Sequence, residues 1–168
     1  MGSPLALHEA YKHGDLAAVR VELGEPADFP NCTCPPAFGE TCLEYAIYHS
    51  PLAFIRTLLE LGADPNYDSQ TGFPALIAAL SGTSADQYAV LELLLQFGAD
   101  IQRRGVNDYT PLHYAVGARD EKAIALLLRH GADPEARTRI DDYATPLEEA
   151  EILGFDDAVA MLRRHLSD

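Results

Sequence analysis

Ala123, Ile124, Leu127 and Leu128 fall at helical spacing and share one face, and Leu58, Leu59, Leu93, Leu94 and Leu95 hold the matching places in earlier segments. That spacing makes these leucines core positions of a helix. A second set, Leu7, Leu43, Leu76, Leu112 and Leu147, opens a further helix upstream of each apolar cluster. The pattern therefore predicts helix after helix, taken in pairs.

The polar positions between them mark where each helix starts and stops. Thr110 can cap a helix with its hydroxyl, and Pro111 suits the first helical position, where its missing N–H has no intrahelical acceptor. Thr41-Cys42-Leu43-Glu44 and Thr145-Pro146-Leu147-Glu148 add a Glu at the third helical position, which predicts reciprocal capping boxes. Gly62, Gly98 and Gly131 follow the last turns of the leucine helices, where a left-handed residue ends a helix at least strain. Each opens a Gly-Ala-Asp triplet, and the triplets recur at intervals of 36 and 33 residues. A degenerate copy, Pro26-Ala27-Asp28, lies 36 residues before Gly62. A period in the low thirties is the mark of a helical repeat array.

Thr110-Pro111-Leu112-His113, the leucine-rich second helix and Gly131-Ala132-Asp133 together resemble the ankyrin repeat. The resemblance implies an all-α solenoid of stacked antiparallel helix pairs joined by finger-like loops, in one domain with approximate repeats at 4–29, 40–67, 73–102, 109–135 and 144–168. Two copies, Leu5 to His8 and Phe73 to Leu76, lack the threonine cap, and about three extra residues separate the helices between Gly82 and Tyr88. In such repeats the histidine of the opening motif, here His8 and His113, bonds backbone between copies. Terminal repeats need a polar outer face. Val21-Glu22-Leu23 and Met161-Leu162-Arg163 supply it, which predicts a complete array and a monomer.

The resemblance also implies where a partner sits, on the finger tips and the exposed side of the first helices that form a concave face. By position this selects Gln70 and Phe73, then Asn107 and Tyr109, then Tyr143, with Tyr48 and His49 on a first helix. Aromatic residues recur in the fingers as Phe73, Tyr109 and Tyr143; they form interface anchors or pack finger against finger. Arg103 and Arg104 in one finger and Arg137 and Arg139 in the next could grip an acidic element of the partner, or pair with local Asp100, Asp108 or Asp142.

Charge changes the list of partners. The chain carries 26 Asp and Glu against 12 Lys and Arg, a net charge of −14, which repels a phosphate backbone and favours basic partners. Nucleic acid is not expected as the ligand. The longest apolar runs, Ala75 to Leu80 and Ala123 to Leu128, are far short of the roughly 20 residues that span a bilayer. Glu9, Lys12 and Asp15 interrupt any apolar signal segment near the start, and cytoplasmic location is the default expectation.

Candidate chemistry is sparse. There is no glycine-rich phosphate cradle, nucleophile elbow or H-E-x-x-H, and no cofactor is expected. Cys32, Cys34 and Cys42 lie in and just after an enlarged first finger. With His49 they could make a Cys₃His zinc site, yet the C-x-C spacing is tighter than structural zinc uses, and three unpaired loop or half-buried thiols are the simpler reading. The sequence thus points to a non-enzymatic scaffold that binds an unidentified protein. The alternatives are a metal-binding or redox-responsive regulator built on the cysteines, and an acidic mimic that binds a basic partner.

Overall fold

A computed structural model describes residues 3–34, 39–68, 72–82, 84–139 and 143–167. Among them are ten α-helices and no named strand. The helices fall into two compact units, Met1–Ala99 and Asp100–Asp168.

The first unit holds three helix pairs: α1 (Pro4–His13) with α2 (Leu16–Leu23), α3 (Cys42–His49) with α4 (Leu52–Glu60), and α5 (Ala75–Ser81) with α6 (Gln87–Gln96). The first helices α1, α3 and α5 pack in succession, and α4 packs on α6. The second unit holds α7 (Pro111–Gly117) with α8 (Glu121–Arg129) and α9 (Pro146–Ile152) with α10 (Asp156–Ser167), preceded by a short 3-10 turn, Val106–Asp108. There α7 packs on α9 and α8 on α10.

Most of the predicted core positions are inside, whereas Leu95 and Leu147 are only half-buried. Leu58, Leu59, Leu93, Leu94, Ile124, Leu127 and Leu128 are buried, as are Leu7, Leu43, Leu76 and Leu112 at the helix openings. Each fully buried leucine or isoleucine contributes about 1.5–3 kcal/mol relative to exposure. The outer helices differ: Val21 of α2 is 65% exposed, and Arg163, Arg164 and His165 of α10 face outward.

Local chemistry fixes the helix starts. Thr41 accepts from the Glu44 N–H at 3.2 Å while Glu44 Oε2 accepts from the Thr41 N–H at 2.8 Å, and Thr145 and Glu148 repeat both bonds. Asp15 and Asp120 cap the second helices α2 and α8, two caps the sequence analysis passed over. The helices α1 and α5, whose motifs lack threonine, have no side-chain cap.

The finger loops have their own logic. The Asp of each Gly-Ala-Asp folds the loop locally, since Asp64, Asp100 and Asp133 accept from the N–H two residues on, at 2.8–2.9 Å. The next polar side chain then reaches the following copy. Asn31 donates to the Gly62 carbonyl and Asn66 to that of Gly98 in the first unit, and Gln102 donates to Gly131 in the second. These bonds tie finger to finger without a β-sheet.

Candidate functional site

In the first unit, Tyr48 and His49 close α3, and neither stands alone. The Tyr48 hydroxyl meets Ser81 Oγ of α5 at 3.1 Å, so half-buried Tyr48 braces two first helices. The exposed His49 ring lies 5.0 Å from His8 and 4.4 Å from Tyr45 between centroids, in an aromatic cluster that opens to the surface. Burial, then the neighbouring His8, holds its pKa below the ordinary histidine value. His8 itself departs from the expected backbone bond: its Nδ1 pairs with the Tyr45 hydroxyl at 2.8 Å, because α3 presents a phenol there. Half-buried Phe73 shares a small cavity with Glu40, Glu44, Tyr48 and Ala78.

In the second unit, His113 behaves as the motif implies. Its Nε2 lies 3.1 Å from the Ala144 carbonyl of the following copy, and a carbonyl can only accept, so Nε2 carries the proton. Nδ1 is then free to accept from Thr110, whose hydroxyl is 2.8 Å away. The histidine thereby takes the place that Glu44 and Glu148 hold in the other capping boxes. Burial lowers its pKa, which keeps the ring neutral.

The aromatic fingers do not share one role. Tyr109 is half-buried and stacks at 5.4 Å on His113 of its own copy. Tyr143 is 60% exposed and adopts a positive φ of 52°. Gln70 lies outside the described residues, as does Asp142, the third acidic neighbour proposed for the arginines.

The arginines are engaged inside their own unit. Arg104 Nη1 contacts Asp108 Oδ2 at 2.8 Å, and Arg139 Nε from the next finger contacts Asp108 Oδ1 at 3.0 Å. Arg137 forks onto Glu148 at 2.8 and 3.0 Å and donates to the Tyr143 carbonyl. Arg103 donates its backbone N–H to the Asp100 carbonyl at 3.0 Å. Asp108 has its side chain only 8% exposed, and the Arg139 hydrogen bond brings its carboxyl down to about 2. Asn107 beside it is exposed with φ 61°, a left-handed conformation that Asn tolerates better than most side chains.

Cys32, Cys34 and Cys42 are all buried, which corrects the half-buried loop reading. Cys34 and Cys42 sit close to the buried Tyr11 phenol, whose pKa is pushed up by burial and then by Cys42 and Cys34. Among the described residues no group of three or more His, Cys, Asp and Glu is placed to hold a metal ion. Cys34 and Cys42 lie beside Tyr11 in the core, whereas His49 belongs to the surface cluster with His8.

One outward position of a first helix stands out. Ile152, at the end of α9, is 72% exposed, and with Arg137, Ala144, Glu148 and Glu151 it lines an open cleft. By position the family resemblance places Ile152 and Leu153 as the outward pair of that first helix, the counterpart of Tyr48 and His49.

These paired helices, capped by Thr-Pro-Leu and closed by Gly-Ala-Asp fingers, define a class of repeat protein, and the comparisons agree. A family model described as ankyrin repeats (3 copies) matches residues 7–105, 61–138 and 83–167. The chain belongs to the ankyrin repeat family, whose members are generally protein-interaction modules. It is 31% identical over 171 residues to human inversin, covering 99% of this chain and 15% of that protein. Similarity to the putative E3 ubiquitin-protein ligase XBAT35 of Arabidopsis thaliana is 33% over 114 residues, 67% of this chain and 24% of that one. An L-asparaginase of Dirofilaria immitis is 30% identical over 161 residues, 95% of this chain and 26% of its own. The chain thus spans about a quarter or less of the length of these relatives. No described helix is long and apolar enough to cross a membrane.

Proposed function

We propose that this protein is a non-enzymatic interaction module whose second unit grips a protein segment at the end of α9. One observation carries the reading: Ile152, 72% exposed, borders an open cleft with two carboxylates, Glu148 and Glu151. An aliphatic side chain held in water at a cleft rim is an anchor for an apolar residue of a partner. Tyr143, whose carbonyl is fixed by the cleft residue Arg137, adds a second exposed apolar surface.

The partner in this reading is a segment with an apolar residue flanked by basic ones. The net charge of −14 favours such a ligand and disfavours nucleic acid. The buried polar groups support a non-enzymatic role, since Glu44, Thr110, His113 and Thr145 serve caps and Asp108 serves an ion pair. Arg104, Arg137 and Arg139 have internal carboxylate partners, so the docking rests on the apolar rim ahead of an arginine grip. Tyr48 and His49 offer a separate contact region on the first unit. A cytoplasmic monomer without a cofactor completes the proposal, supported by three free cysteines.

The test is affinity capture beside a Tyr143→Ala, Ile152→Glu variant whose circular dichroism and melting temperature match wild type. The expected result is a specific partner retained by wild type and lost by the variant, with retention weakened by salt. Equal retention by both proteins would overturn the assignment of the site.

A further inference from the structure

The enlarged first finger closes on itself as a narrow ladder. Thr33 and Thr41 pair across an isolated antiparallel bridge, flanked by Cys42 N–H donating to the Cys32 carbonyl at 3.1 Å and Cys34 N–H donating to the Glu40 carbonyl at 2.8 Å. That register sets Cys32 directly opposite Cys42. Their Sγ atoms are 3.2 Å apart, and both residues are buried, with Cys32 8% exposed and Cys42 fully covered. Cys32 and Cys42 share one of the two bonds of a hydrogen-bonded antiparallel pair, whose Cα atoms lie about 5.5 Å apart, inside the range that a disulfide spans. The sulfurs need close by only about 1 Å to reach a bonding distance near 2.0 Å.

We infer that Cys32 and Cys42 form a thiol oxidation site, which a peroxide converts into a reversible disulfide. The bridge, not chain flexibility, holds the two sulfurs together, so the backbone does not have to move far. Cys32 is the entry point because it is the one of the three with measurable exposure. The S–H···S contact between the two lowers the Cys32 pKa and raises that of Cys42. Cys34 is fully buried, and burial pushes its thiol up to about 12, so it is a poor competitor.

The chemistry balances in two steps. The Cys32 sulfur attacks one oxygen of hydrogen peroxide, the O–O bond breaks, and the departing hydroxide takes the thiol proton and leaves as water, with Cys32 now a sulfenic acid. The Cys42 sulfur then attacks the Cys32 sulfur, the S–O bond breaks, and the leaving oxygen takes the Cys42 proton as a second water. Two thiols lose two electrons, and the peroxide gains them. A small dithiol reverses the change by exchange. The inference does not depend on the partner site at α9.

The test exposes reduced protein, freed of reductant, to a small molar excess of hydrogen peroxide. Thiols are then titrated under denaturing conditions and the peptides are mapped by mass. The expected result is a fall from three thiols to one, a mass lower by about 2 Da, and a peptide joining Cys32 to Cys42, all reversed by dithiothreitol. A Cys34→Ser variant keeps the pair and should fall from two thiols to none. Three surviving thiols under conditions that oxidise the denatured chain would overturn the site. So would a bond to Cys34, or cross-links only between chains.

Discussion

Arg139 places its Nε 3.0 Å from Oδ1 of Asp108, and so joins two successive fingers of the second unit through a nearly covered carboxylate. Asp108 achieves this from a left-handed backbone, φ 59°, which aims its side chain at both Arg104 and Arg139. The backbone strain is tolerated because two charge-assisted contacts hold the geometry.

A pH dependence follows from that carboxyl. Its folded value is about 2 against an ordinary 3.8, so the folded state binds fewer protons than the unfolded state between those values. The stabilisation is complete above about pH 4 and is lost as pH falls through about 2. Asp108→Asn should therefore destabilise the protein at neutral pH, and the difference from wild type should shrink across that window. Denaturant titrations at pH 6, 4 and 2.5 measure it; a constant difference would show that the charge plays no part.

His113 gives a second, separate window. Burial holds its folded pKa below the ordinary 6.5, so its contribution is complete above that value and lost as pH falls through the folded pKa. Stability should decline from pH 7 to pH 5 in wild type and less so in His113→Gln. His113→Ala also strands the Ala144 carbonyl and should cost about 1–3 kcal/mol at pH 7 by chemical denaturation.

Gly131 ends α8 at φ +86°, and a Cβ there would meet nothing within 4 Å. Gly131→Ala isolates backbone strain from crowding. The expected cost is about 1–2 kcal/mol, seen as a lower denaturation midpoint with unchanged slope.

Asn31 bonds the next finger twice, donating to the Gly62 carbonyl at 3.0 Å and accepting from the Asp64 N–H at 2.8 Å. Asn31→Ala should destabilise the first unit by about 1–2 kcal/mol. Hydrogen exchange should show the Asp64 amide losing protection, while the second unit keeps its own.

Much of the fold was legible because its signals are local. Thr41, Thr110 and Thr145 cap helices through bonds three residues away, and Gly62, Gly98 and Gly131 supply left-handed backbone where it is needed, so sequence spacing alone locates these starts and stops. The leucine faces were equally clear, since periodicity reports burial directly. The family follows from the same residues. Distances between residues some thirty positions apart had no such signal. The sequence offered Asp108 as one of three acidic partners but could not choose it for Arg139, or show that Tyr143 would be exposed while Tyr109 stacks on His113, because each outcome depends on tertiary packing. Cys32 and Cys42 make the same point most sharply: ten residues apart they read as loop thiols, and only the ladder at Thr33 and Thr41 turns them into a buried pair. Caps, turns and periodicity are set within a few residues of chain, whereas exposure and pairing are set by tertiary packing, and the candidate site belongs to the second kind.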